Sequence, residues 1–421
     1  MDLDAVKARL IDEVDKRADL LLDASHRIHD HPELGYEEVF AHELLTGIVE
    51  DEGMAVERHA YGLDTAFAAR AGSQGPTIAI CCEYDALPGL GHACGHNIIA
   101  AAGLGAGLAA ATLADELGGR VVVLGTPAEE GGGGKVKMIE RGAFTGVDAA
   151  LMVHPAGGDL RAMNVIAIQQ LWVTYHGQAA HAAAFPYKGR NALDAAVLGY
   201  MNVAALRQHI RPEERIHGII TDGGDKPNIV PARSAAEWYV RAGTLGRLEP
   251  LKERVLACLQ AGADAAGCTL EYEWQDCAYA DMRDNMPIVD LYADNAARLG
   301  RTAAEPGDAF SVVGSTDMGN VSYEVPSIHP MIKVSPVHVS IHTPEFATFA
   351  GGPEGDAAVL DGAKALAMTI ADLWMRPEAL DQATAAFRST SGASPSSAEA
   401  SPSSAEASPS SAEASPSSAE G

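Results

Sequence analysis

Residues 98–114 read IIAAAGLGAGLAAATLA, a stretch without a single charge and without a polar face. A helix that is apolar all round does not lie on a protein surface; it is enclosed within a fold or it crosses a membrane. This one is short for a span, is mostly Ala and Gly, and lacks aromatic or basic anchors at its ends. The stretch therefore predicts a helix buried on all sides, and such a helix needs layers around it. Its neighbours supply them: TIAICC at 77–82 comes before it and RVVVLG at 120–125 follows it. Short apolar runs separated by helices predict an α/β domain, a mostly parallel sheet with helices on both faces. Ligands in such sheets sit at the carboxyl ends of the strands. Chemistry is thus expected just after residues 82 and 125.

A different pattern occupies the middle of the chain. An apolar strand at 166–175 leads to a helix at 192–208, strands near 216–221 and 235–241, a helix at 249–266 and a strand at 268–274. The order βαββαβ is the ferredoxin-like split. Helix and strand patterns of the first kind resume from Met286. The expected organisation is a discontinuous catalytic domain, 1–165 and 283–388, interrupted by a smaller lid domain at 166–282. From Ser394 the heptapeptide SPSSAEA repeats to the end. Each repeat holds a proline and its only apolar residue is Ala, so no coiled-coil seam can form, and 389–421 is read as a disordered tail.

Charge narrows the partners. Among 421 residues, 30 Lys and Arg face 57 Asp and Glu, a formal net charge of −27. The tail contributes only a few Glu to this balance, so the acidity belongs to the rest of the chain. Phosphate contacts need a basic face, so nucleic acid is not expected as a partner, nor is an anionic membrane surface. The six cysteines follow no disulfide spacing, and the N-terminal segment is charged and amphipathic, unlike a signal peptide. Both point to a cytoplasmic chain.

The strand ends carry the chemistry. Glu83 to Asn97 reads EYDALPGLGHACGHN, which places two carboxylates, two imidazoles and a thiol close together after a buried strand. These are ligand types of zinc and of metals near it in affinity. Alone, the Cys-x-His of Cys94 and His96 fits a structural role equally well. After the second strand, PAEEGGGGK sets Glu129 and Glu130 side by side. One could bind a metal while the other acts as a general base. The GGGGK run is not a P-loop: Glu129 stands where the first Gly is required and Val136 where Ser or Thr is required. His154 and His342 each close a further apolar run, with His338 a competitor to the latter. The cluster His26, His29 and His31 begins on a helix that Pro32 breaks, so its imidazoles need not converge.

Read in order, HPELGYEE, EYDALPGLGHACGHN, PAEEGGGGK, VHP, GQAAHAAAFPYKGRNALDAAV and KPNIVPA resemble the aminoacylase/carboxypeptidase-type dinuclear metallopeptidase family. The likeness is to its amidohydrolase branch, nearest to p-aminobenzoyl-glutamate hydrolase subunits and β-alanyl-lysine-type dipeptidases, and covers about residues 15–385. The resemblance implies a zinc-peptidase-like catalytic domain with a lid that often forms a dimer interface. It implies two divalent metal ions, zinc or manganese, on Cys94, His96, Glu130, His154 and His342. Glu129 is implied as general base toward an activated water, His181 as oxyanion donor (commonly given across a homodimer), and Asn228 and Arg241 as groups that hold a substrate carboxylate. The implied substrate is a small amide: an N-acyl or N-aminoacyl amino acid, a dipeptide or a p-aminobenzoyl-glutamate-like molecule. Asn97 departs from the Asp found in many members of the branch. Two other readings stay open at this stage: an inactive binding or regulatory module on the same fold, and a hydrolase using Cys94 as nucleophile.

Overall fold

The computed structural model describes residues 1–305 and 313–391. Its larger sheet has six strands in the order Ala55–Arg58, Phe67–Ala71, Arg120–Gly125, Thr77–Cys82, Ala149–Leu151 and Ser327–Ile328. The last four run parallel, and the first two form an antiparallel edge. Strict alternation along each strand feeds two separate cores. Ile78, Ile80, Val121 and Val123 face one side, whereas Ala79, Cys81, Val122 and Leu124 face the other. Helices cover both faces, which is why these strands read as unbroken apolar runs.

The Ala/Gly stretch is the helix His96–Ala111, buried from His96 to Ala110. It lies between the sheet and the helices Ala18–Asp30 and Pro353–Met375. Glycine makes this close approach possible: a Cβ on Gly107 would come within 2.1 Å of Val123 Cγ2, and one on Gly105 within 2.7 Å of Leu21 Cδ1. Small residues on all sides let three layers pack at backbone distance. Among the described residues no helix is long and apolar enough to cross a membrane.

The middle of the chain folds as β(Ala167–His176), α(Ala192–Leu206), β(Arg215–Asp222), β(Arg233–Ala242), α(Leu245–Ala265), β(Thr269–Trp274). All neighbours in this four-stranded sheet are antiparallel, and the spatial order is fourth, first, third, second. That is the ferredoxin-like arrangement. Its two helices cover one face, burying Leu171, Val173, Tyr175, Trp238 and Val240. A Cβ on Gly262 would sit 2.5 Å from Gly199 N, so the two helices touch backbone to backbone. The alternate residues Ile168, Gln170, Tyr239 and Arg241 stand on the helix-free face. That face turns toward the carboxyl ends of the larger sheet. The final helix, Pro377–Ser391, runs past residue 389, and the repeats beyond it lie outside the described residues.

Candidate metal centre

Each parallel strand delivers a polar group at its carboxyl end. Thr77–Cys82 leads to Glu83, Asp85, Cys94 and His96; Arg120–Gly125 leads to Glu129 and Glu130. Ala149–Leu151 leads to His154 and Ser327–Ile328 to His329. Local backbone geometry then aims them. Gly95 caps the buried helix at φ 83°, with no room for a Cβ, which would meet Pro155 Cγ at 2.5 Å. It sets Cys94 and His96 on either side of one tight bend. Ala128 (φ 56°) and His342 (φ 64°) hold the same left-handed conformation without being glycine. Such residues cost about 1–3 kcal/mol each and persist where surrounding contacts fix them. For Ala128 the fixing contact is its N–H donating to buried Glu38 Oε1 at 2.8 Å.

Five of the sequence-indicated residues meet at one point. Cys94 Sγ is 3.4 Å from His154 Nε2 and 3.4 Å from His342 Nε2. Glu130 Oε1 is 3.7 Å from His96 Nε2 and 3.6 Å from His342 Nε2. The triads Cys94/His96/His154 and Cys94/Glu130/His342 each have all donor atoms within 4.8 Å of one another. Two of these donors, His96 Nε2 and Glu130 Oε1, are buried and make no hydrogen bond among the described residues. Converging lone pairs without protons to share are what a cation site requires.

Electrostatics agree. Burial disfavours a charged imidazole, yet Cys94 and Asp85 override it and hold His96 well above the usual histidine range. The pocket therefore draws positive charge to that point. His154 is the opposite: burial, then His329 and His96, push it well below the usual range and keep it neutral. Its Nδ1–H donates to Pro155 O at 2.8 Å, which leaves the Nε2 lone pair facing Cys94. Burial, reinforced by Glu83 and Glu130, raises Glu129 well above the carboxylate range and makes it a stronger proton acceptor. Burial and Glu130 likewise raise Cys94, the reverse of an activated nucleophilic thiol.

Other residues build the site without having been singled out for it. Asp85 links two segments: Oδ1 holds His96 Nδ1 at 2.9 Å and Oδ2 accepts from Glu130 N at 2.9 Å. Tyr279 donates to Glu129 O at 2.7 Å and accepts from Gly133 N at 2.8 Å, tying the Glu129–Glu130 turn to the inserted sheet. His329 packs 5.3 Å from the His154 ring. It ends an apolar run, so the rule that found His154 could have found it.

The cleft over this cluster encloses about 550 Å³ and has Arg241, Tyr239, Gln170 and Ile168 on its far wall. Arg241 stands on a central strand of the smaller sheet rather than at an edge. Its Nη1 donates to Ser315 Oγ at 3.1 Å, while Nε is buried and has no partner among the described residues. His181 and Asn228 do not join the site. They lie in adjoining loops, where Ala182 N donates to Asn228 O at 3.0 Å, and both side chains are exposed. The N-terminal imidazoles do not converge either. His26 pairs with Asp356, His29 with Ala347 O and His31 with Arg27 O. His338 is exposed and outside the cluster.

Fold and donor set together are those expected of a metal-dependent hydrolase. Residues 79–372 match the model of Peptidase family M20/M25/M40, and the chain belongs to that family. It is 40% identical to a mouse (Mus musculus) Xaa-Arg dipeptidase over 403 residues, covering 92% of this chain and 93% of that one. It is 35% identical over 271 residues to a p-aminobenzoyl-glutamate hydrolase subunit of Escherichia coli, covering 59% and 56% of the two chains. A dinuclear metal-binding peptidase from Bacillus subtilis has the same fold, with a TM-score of 0.62 at 20% identity over 85% of this chain and 99% of that one. The chain is accordingly a hydrolase of amide or peptide bonds.

Proposed function

We propose that the chain cleaves the amide bond of an N-acyl or N-aminoacyl amino acid, with a dipeptide or a p-aminobenzoyl-glutamate-like molecule as substrate. The convergence of Cys94, His96, Glu130, His154 and His342 beside a proton-accepting Glu129 carries this reading. The five would hold two divalent ions, and the thiol and imidazole donors favour zinc over manganese. Bound there, the ions supply a water of lowered pKa and polarise the amide carbonyl. Glu129 takes the proton from that water and returns it to the leaving amine. Arg241, across the cleft, holds the substrate carboxylate.

His181 supplies the oxyanion donor and Asn228 a contact to the carboxylate end, both from a second copy of the chain. The inserted domain, 166–282, is then lid and dimer interface. Its edge strand Arg215–Asp222 exposes Ile219 on the helix-free face and Ile220 on the opposite one, and the helix Ala192–Leu206 exposes Val197, Leu198 and Met201, apolar side chains available to a partner. Six free cysteines fit a cytoplasmic location. A hydrolysis panel tests the function, comparing Xaa-Arg and β-alanyl dipeptides, p-aminobenzoyl-glutamate and N-acetyl amino acids. Turnover is expected to vanish with a chelator and return with zinc or manganese. Turnover that survives chelation, or no turnover on any member after metal is restored, overturns it.

A further inference from the structure

Behind the cluster lies a group of charges that the hydrolytic roles leave unused. Lys135, Glu83 and Asp317 are all fully buried. Lys135 Nζ donates to Asp317 Oδ1 at 2.7 Å and to Glu83 Oε1 at 2.6 Å, and Lys135 N donates to Asp317 Oδ2 at 2.9 Å. Asp317 already forms a complete pair with Lys135, held at both oxygens. Glu83 is the excess carboxylate. Its second oxygen, Oε2, makes no hydrogen bond among the described residues and lies 3.5 Å from His96 Nε2. Glu83, His96 and Glu129 have donor atoms within 4.8 Å of one another.

Two buried carboxylates that share one lysine leave a net negative charge, which costs several kcal/mol unless a further cation meets it. A purely structural pair would be complete with Lys135 and Asp317 alone. We propose that Glu83 is a further ligand of the metal centre, held by Lys135 through Oε1 so that Oε2 faces the ion beside His96. Lys135, clamped by Asp317, is the positioning residue for that ligand. The assignment rests on the reading that the Cys94 cluster binds ions, and it adds a carboxylate to which the family resemblance gives no ligand role.

Calorimetric titration of the chelated, metal-free full chain with Mn²⁺, with metal content counted by elemental analysis, tests it. Wild type is expected to take two ions. In Glu83→Gln the amide oxygen can still accept from Lys135, so the change falls on Oε2. One ion should bind roughly tenfold or more weakly, the other as before, while the melting temperature of the metal-free chain holds or rises. Two ions bound at wild-type affinity, or a lower metal-free melting temperature with both affinities intact, overturns the proposal. Glu83→Asp, which keeps the charge but draws it back, should weaken the same ion. If Glu83→Gln does not fold, unchanged affinities in Glu83→Asp overturn it. A wild-type chain that binds no ion removes the reading of the whole site, a failure distinct from two ions bound equally in wild type and variant.

Discussion

The carboxyl edge of the larger sheet and the loops of the inserted sheet treat their polar residues in opposite ways. At the first, Cys94, His96, Glu129 and His154 are buried, and Asp85 and Tyr279 fix the segments that carry them. At the second, His181 and Asn228 face solvent, and His181 Nδ1 accepts from Ala183 N and Ala184 N, at 3.3 and 3.2 Å. On the roles proposed above, the contrast sets a half of the machinery that one chain builds by itself against a half, His181 and Asn228, that one chain leaves apart from the cluster.

The largest expected effect falls on the pre-built half. Glu129→Ala should lower kcat by about 10²–10⁴-fold while metal content and thermal stability stay at wild-type levels; retained turnover would remove Glu129 as the base. Next comes the unfinished half. His181→Ala should cost about 10²–10³-fold in kcat, the scale of one oxyanion donor. If His181 acts across a dimer, mixing inactive His181→Ala and Glu129→Ala chains under subunit exchange should restore part of the activity. No recovery would place His181 in its own chain's reaction.

Arg241 spans the two halves, and its effect should be smaller. Arg241→Ala should raise KM by about 10- to 100-fold, as expected for a lost charged hydrogen bond, and should do so only for substrates with a free carboxylate. An equal loss on the corresponding amide would make its role one of packing. The smallest effect concerns Glu38, beneath the strained Ala128. Burial raises its pKa from 4.5 to about 7 against the hydrogen bonds from Thr65 and Ala128. Because the folded chain then binds the proton more tightly than the unfolded one, this contribution is full below pH 4.5 and lost as pH rises through about 7. Urea unfolding across that window should show stability declining with pH, and Glu38→Gln should flatten the slope.

Much of this was written in local pattern. Unbroken apolar runs at 77–82 and 120–125 marked the sheet, and its strand ends marked Cys94, His96, Glu129 and Glu130. The βαββαβ order marked the inserted sheet to within a few residues; its second helix starts earlier than expected, at Leu245, and carries Pro250 inside it. What local pattern could not show is pairing at a distance. Lys135 and Asp317 are 182 positions apart, and nothing near either one announces the other. The GGGGK run suggested only phosphate binding, which its neighbours rule out, and the lysine's partner became visible only when the chain was folded. Arg241 was equally ambiguous, since a strand residue is central or peripheral only by virtue of the sheet order.

The helix-free face of the inserted sheet has a consequence for how such a protein can diversify. Ile168, Gln170, Tyr239 and Arg241 alternate along two strands with Leu171, Val173, Trp238 and Val240, which hold the sheet to its helices. One set lines the cleft and the other meets the interior, and none of these residues belongs to both. Mutations that retune what the cleft accepts can therefore accumulate at every second position without disturbing the fold that presents them.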